Sequence, residues 1–307
     1  MLVHPSGKFD NHAKAYAHIE ARPLAAAMGA EIRGVRLSDL TDAQFAEIRD
    51  ALFRHKMIYF RDQEIGHGDQ EAFSLRFGPF AEDAYTKGTP GHVNVQPLVK
   101  EADSRTGMVF GSGWHTDSPF LPKPPAISML YGVELPPFGG DTIWANAVLA
   151  YAMLSETMQR MLAPLKVHMS MARVLESAQA YGRVDETPVG RLAATRGETR
   201  LPDEIVRKVQ GTMHPLVRTH PVSGEKALYC DGSYAVGIEG LTEPEAAALL
   251  TFLAAHMTQP AFTCRLRWEP KTFALWDNRI CIHQAFNDYD GYRRELYRTT
   301  VAGEVPG

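Results

Sequence analysis

Gly113-Trp114-His115-Thr116-Asp117 is the stretch from which the rest of the chain is read. Side chains on an extended segment alternate faces with a period of two, so His115 and Asp117 point to the same side. One imidazole nitrogen and one carboxylate oxygen then converge on a point that a third ligand can complete. Two histidines and one carboxylate on one face of a metal leave three positions open, the arrangement of a non-haem Fe(II) site. The tripeptide by itself is more often a surface or core polar segment than a metal site, so the surrounding chain has to decide.

The 307 residues are 45% hydrophobic and 22% charged, the composition of a globular protein with a sizeable core. A formal charge of −4 gives no protein-wide attraction to nucleic acid or anionic membrane, a local basic pocket aside. There is no secretory leader pattern and no apolar run of 18 residues. Cys230, Cys264 and Cys281 have no CxxC spacing and read as buried thiols of a reducing compartment, so a cytoplasmic location is expected.

Residues 1–14 are polar and aperiodic, a loose tail, and 30–35 alternate as a short strand. Thr41-Asp42-Ala43-Gln44 is a capping-box pattern, opening a helix with Phe45, Ile48, Leu52 and Phe53 on one face. Residues 57–60 read as a buried strand, 69–77 as a second helix stopped by Gly78-Pro79, and 93–95 as a strand between polar loops. The proline-rich segment 118–125 can be neither a central strand nor a helix interior, so it is a rigid loop leaving the site. A strand at 127–133 and a turn at 136–140 deliver Asp141-Thr142-Ile143-Trp144, with helical patterns at 147–154 and 155–162. Residues 170–211 lose all pattern and read as a lid insert. Strands at 215–219 and 227–229 form a hairpin across Ser223-Gly224, and Thr242-Glu243-Pro244-Glu245 caps a helix with Ala246, Leu249, Leu250 and Leu253 on one face. Strands at 262–268, 273–283 and 294–301 close the chain. Many short strands, few helices and no Gly/Ser-rich linker imply one domain over 1–307, mainly β, a sandwich or jelly roll with flanking helices.

The third candidate ligand, His283, ends the run Trp276-Asp277-Asn278-Arg279-Ile280-Cys281-Ile282-His283. Beyond it, Arg294, Leu296 and Arg298 share one strand face, and Arg293, Glu295 and Tyr297 the other. If the first face lines an interior, its two guanidinium groups are costly there unless anions meet them. The planar fork of arginine suits a carboxylate.

These pieces, in order, resemble the Fe(II)/2-oxoglutarate dioxygenases of the taurine dioxygenase and 2,4-dichlorophenoxyacetate dioxygenase family: Trp114-His115-Thr116-Asp117, Gly139-Gly140-Asp141-Thr142, His214-Pro215-Leu216-Val217-Arg218-Thr219-His220-Pro221, Trp276-Asp277-Asn278-Arg279, then His283 and Arg294. The resemblance covers most of the chain. It implies a double-stranded β-helix (jelly roll, clavaminate synthase-like), with Fe(II) held by His115, Asp117 and His283 and with 2-oxoglutarate and O2 as cosubstrates. The far carboxylate of 2-oxoglutarate would meet Arg294 and the hydroxyl of Thr142. Arg298 resembles the family arginine that meets the substrate's anionic group. In the family, 2-oxoglutarate is decarboxylated to succinate and CO2 while the substrate is hydroxylated. Hydroxylation beside a heteroatom gives C–O or C–S cleavage. Asp117 separates the chain from the related halogenases, which resemble it but carry a small residue there.

The taurine enzymes carry a His three residues after the Arg-Phe-Gly that ends the second helix, where this chain has Ala81, and an Asn three residues before the metal-motif Trp, where it has Gly111. Both departures remove polar contacts for a sulfonate and an amine. That leaves Arg298 as the anion anchor, with Phe110 and Phe120 as candidate apolar walls. The expected partner is a small organic anion (an aryloxyalkanoate, alkyl sulfate or sulfonate), with no nucleic acid or membrane partner, and the expected assembly is a homo-oligomer. A competing reading is a cupin-like metal-binding or sensor protein without turnover, against which Arg294 and Thr142 argue. Plainer readings stand beside several residues: Thr142 as a turn hydroxyl, Cys281 as a small buried hydrophobe rather than a neighbour of the metal, Trp114 and Trp276 as core anchors, and His168, His214, His220 and His256 as structural or surface histidines.

Overall fold

The computed structural model describes residues 4–82, 88–104, 111–174 and 210–307. It begins with β1 (Glu20–Pro23), β2 (Ala30–Arg33), α1 (Asp42–His55), β3 (Met57–Phe60) and α2 (His67–Leu75). The capping box of α1 forms as expected, with the Thr41 hydroxyl accepting from Gln44 N–H and the Gln44 side chain accepting from Thr41 N–H. Next come β4 (Gln96–Lys100), β5 (Ile127–Glu134), β6 (Thr142–Asn146), α3 (Ala147–Ala152), α4 (Glu156–Leu162) and β7 (Lys166–Met169). After the segment 175–209, which holds most of the expected lid and lies outside the described residues, come β8 (Thr212–Pro215), β9 (Val217–Thr219), β10 (Lys226–Leu228) and β11 (Ala235–Ile238). The last elements are α5 (Glu243–Met257), a 3-10 turn at Pro260–Phe262, β12 (Thr263–Leu266), β13 (Phe273–Asp277), β14 (Cys281–Ala285) and β15 (Arg294–Val301).

Seven strands form one sheet in the order β1-β2-β3-β13-β5-β15-β4, and β12-β6-β14 form a second. Helices α1 and α2 cover one face of the large sheet through Ile48, Leu52, Phe60, Phe73, Phe273 and Leu275. On its other face Ala274, Trp276, Leu130 and Leu296 pack with Trp144, Leu266 and Trp268 from the second sheet and its neighbourhood. Every residue of β13 is therefore buried, and its period-two alternation disappears into one apolar run.

That run explains one correction. The single strand expected over 273–283 is two strands in different sheets, β13 and β14. The Asp277 carboxylate accepts Arg279 N–H at 3.0 Å and the Asp277 carbonyl accepts Ile280 N–H at 3.2 Å, closing a side-chain-mediated turn that hydropathy cannot show. A second correction concerns the strand expected at 93–95, which lies at β4. Pro97 argues against a strand there, but β4 is the sheet edge, where a missing N–H is tolerated. The amino-terminal stretch expected to be loose is docked in its described part: the His4 ring bonds the Ala261 carbonyl, and Asn11 donates to the Ala25 and Gly29 carbonyls.

Behind the site, Asp277 also joins a buried ionic group. It pairs with Arg279 at 2.6 Å and accepts from His220 Nε2 at 3.0 Å, while Arg218 and Arg279 both reach Glu304. Burial pushes the Asp277 carboxyl up, but Arg279 and His220 more than offset it and hold it well below the carboxylate range. A folded-state value below the unfolded one means that its contribution is complete above about pH 4 and is lost only as pH falls further. Asp277→Asn leaves Arg279 without its nearest counter-charge, so the expected loss of stability is about 3–5 kcal/mol, measured by urea unfolding at pH 7. An unfolding midpoint equal to wild type would remove this cluster from the forces that hold the turn.

Candidate active site

His115 and His283 come together through backbone pairing. Each donates its N–H to the other's carbonyl, at 2.9 and 2.7 Å, in an isolated antiparallel bridge. Their rings stand 4.2 Å apart between centroids. Asp117 Oδ1 lies 3.8 Å from His115 Nε2 and 3.9 Å from His283 Nε2. All three side chains are buried, and their ligand atoms lie within 4.8 Å of one another. The alternation argued for 115 and 117 thus delivers both side chains to one place, although only His115 pairs with another strand.

The donor set suits a divalent metal. His115 Nδ1 sits 2.8 Å from the Gly113 carbonyl, so it carries the ring proton and leaves the Nε2 lone pair facing Asp117. Burial holds the His283 imidazole down at about 3, hence neutral. Asp117 is pushed up by burial but pulled below its ordinary value by the Arg298 guanidinium, so it is an anion. Gly111 is confined by the same ring: with φ +82°, a Cβ there would stand 3.0 Å from His115 Cε1. The loop beneath is braced by Asp231, which accepts N–H groups from Thr116, Ser233 and Tyr234.

Strand β15 places the two arginines. Leu296 packs between the sheets, so Arg294 and Arg298 on the same face are carried inward and are buried. Arg293 points the other way, paired with Glu101, Glu134 and Glu295. Arg294 Nε is buried with no hydrogen-bond partner among the described residues, and burial lowers the guanidinium below its usual value. A buried, unpaired donor costs about 1–3 kcal/mol, more for a charged group, unless an anion answers it. Gly140, at φ +66°, allows this approach: a Cβ there would stand 3.2 Å from Arg294 Nε. Thr142 lies at the start of β6, where Trp268 Nε1–H donates to its hydroxyl at 2.9 Å. With its acceptor side filled, the Thr142 hydroxyl has its proton free to donate to a carboxylate. These residues fit a dicarboxylate such as 2-oxoglutarate.

Arg298 donates to Gln96 Oε1 at 2.8 Å and lies 3.4 Å from Asp117 Oδ1. Phe120 is buried, with its ring 5.4 Å from that of Tyr234, which in turn stands 6.3 Å from His115. Phe110 lies outside the described residues. The thiol of Cys281 is within 2.9 Å of the Asp277 carbonyl and 3.5 Å of the Lys56 carbonyl, as a structural cysteine would be. His214 Nε2 bonds the Pro119 and Leu121 carbonyls and so fastens the proline-rich loop. Sequence reasoning missed Gln96, Ser128 and Tyr234 and gave Asn278 no role beyond its place in the Trp276-Asp277-Asn278-Arg279 motif, because each acts through contacts with residues distant in the chain.

The family model for taurine catabolism dioxygenases, TauD/TfdA, matches residues 20–300. An alpha-ketoglutarate-dependent sulfate ester dioxygenase of Pseudomonas putida is 35% identical over 291 residues, covering 94% of this chain and 91% of that protein. An alkylsulfatase of Acinetobacter baylyi is 33% identical over 289 residues, covering 94% and 86%. The crystal structure of a taurine dioxygenase from Burkholderia xenovorans superposes with a TM-score of 0.77 at 35% identity, covering 94% of this chain and 93% of that one.

Proposed function

The chain belongs to the TauD/TfdA family of 2-oxoglutarate-dependent dioxygenases, and from that premise we propose that it oxidises alkyl sulfate esters, cleaving their C–O bond. It is an enzyme that uses Fe(II), 2-oxoglutarate and O2. His115, Asp117 and His283 are assigned to the metal, Arg294 and Thr142 to the far carboxylate of 2-oxoglutarate, and Arg298 to the substrate's anionic group. The observation that carries this reading is that a buried His-Asp-His group shares its interior with two buried arginines, one of which has an unanswered N–H. A metal-binding sensor without turnover has no use for that second cation.

Bound iron and 2-oxoglutarate supply the O2-driven removal of a substrate hydrogen and delivery of oxygen to that carbon. His115, Asp117 and His283 would hold the metal with no fourth protein ligand, which would keep room on it for the keto acid and O2. Arg294 would fix the cosubstrate at its far end, and Arg298 would hold the sulfate and so orient the carbon beside it for oxidation. Hydroxylation of that carbon gives a hemiacetal-like ester. It breaks to an aldehyde and hydrogen sulfate, the hydroxyl proton leaving with the sulfate, while succinate takes the other oxygen atom and CO2 departs.

Sulfate esters are chosen over other anions because two relatives that share a third of their residues with this chain act on them. An aryloxyalkanoate or a larger sulfonate would use the same anchor. Taurine fits worst, since Ala81 and Gly111 offer its ammonium no partner and the space at Gly111 is taken by His115. Arg298→Ala is expected to raise KM for an alkyl sulfate roughly ten- to hundredfold, with KM for 2-oxoglutarate unchanged. Steady-state kinetics on medium-chain alkyl sulfates and taurine test both points. Efficient taurine turnover, or an unchanged alkyl sulfate KM in the variant, would contradict this assignment.

The same proposal reads the two facing sheets as a double-stranded β-helix and the chain as one domain over 1–307. It extends to a homo-oligomer in the cytoplasm, in keeping with three buried free cysteines. Among the described residues no helix is long and apolar enough to cross a membrane.

A further inference from the structure

We infer that Trp276, Asn278 and Ser128 form a one-way hydrogen-bond relay that holds Asp117 to the metal through a single oxygen. The inference rests on the metal reading above but assigns residues which that reading leaves unused. Trp276 Nε1–H lies 2.8 Å from Asn278 Oδ1, Asn278 Nδ2 lies 2.8 Å from Ser128 Oγ, and the Ser128 hydroxyl donates to Asp117 Oδ2. All four side chains are buried.

The direction of the relay is forced by its ends. An indole N–H can only donate and a carboxylate can only accept. Asn278 must therefore turn its oxygen to Trp276 and its amide nitrogen to Ser128. Ser128, with its acceptor side filled, has one proton, and it goes to Asp117. The relay is set by register across the large sheet, where Ser128 of β5 pairs with Trp276 of β13. Asn278 is itself fixed by backbone bonds, donating to the Ala126 carbonyl at 2.8 Å and accepting the Thr116 hydroxyl at 2.8 Å. Thr116 lies between the two ligands of the motif, so one residue braces both the backbone and the carboxylate.

Tying Oδ2 to Ser128 leaves Oδ1 as the oxygen nearest both imidazoles. Denticity matters here. An Asp117 bound to a metal through both oxygens would take up a position that the keto acid and O2 compete for. Ser128, Asn278 and Trp276 are positioning residues, since none of them touches the reacting atoms.

The test is calorimetric titration of the full chain with Mn(II), followed by 2-oxoglutarate titration of the Mn(II)-loaded protein, for wild type, Ser128→Ala and Trp276→Phe, with metal-free melting as the fold control. Ser128→Ala is expected to bind Mn(II) about 10–100-fold more weakly and, once saturated with Mn(II), to bind 2-oxoglutarate more weakly than wild type, while its metal-free melt stays cooperative. Trp276→Phe shifts Mn(II) affinity in the same direction by less, and it carries the test if Ser128→Ala does not fold. A folded Ser128→Ala that binds both ligands within twofold of wild type overturns the relay alone, as does an unchanged Mn(II) affinity in Trp276→Phe. A wild-type chain that takes up no Mn(II) overturns the metal centre, and the relay with it.

Discussion

Succinate formation is expected to fall to the no-enzyme level when Asp117 is replaced by alanine, and likewise for His115→Ala and His283→Ala. Each change removes one of the three proposed metal ligands, whereas loss of a group that only orients a ligand already costs about 10–100-fold in metal affinity. Asp117→Ala also strips Arg298 and two imidazoles of the anion at their centre. Metal titration and succinate assay should fail together in all three variants while far-UV circular dichroism is kept. Full activity in any one of them would take that residue out of the metal group.

The second large effect belongs to Arg294. Its Nε is buried without a partner among the described residues, beside Gly140, where a Cβ would stand 3.2 Å from it. Lysine keeps the charge but loses the planar two-pronged contact. A lost charge-assisted bond of about 1.5–3 kcal/mol is a roughly ten- to hundredfold rise in KM for 2-oxoglutarate. Arg293→Lys, one residue away, faces Glu101, Glu134 and Glu295 on the other side of the strand and should leave that KM as it is. Equal effects in the two variants would mean that the buried face is not the cosubstrate face.

Short-range pattern made part of this legible. The period of two placed Arg294, Leu296 and Arg298 on one face of β15, and the burial of alternate residues there agrees. The capping boxes of α1 and α5 were readable because four consecutive residues carry them. The break between β13 and β14 was hidden because both faces of β13 are covered, and because the turn is made by the Asp277 side chain rather than by glycine or proline. The relay to Asp117 was beyond reach for a different reason. Ser128 and Asn278 are 150 residues apart, and only the pairing of β5 with β13 makes them neighbours.

The most direct test of the whole account is a coupled assay on the purified chain with Fe(II), ascorbate, O2, 2-oxoglutarate and a medium-chain alkyl sulfate, following succinate and inorganic sulfate together. The account predicts that both rise in equal amounts, that both need added Fe(II), and that both vanish in His283→Ala. Succinate and sulfate at background with every sulfate ester, sulfonate and aryloxyalkanoate tried, from a folded chain that binds Mn(II), would contradict it.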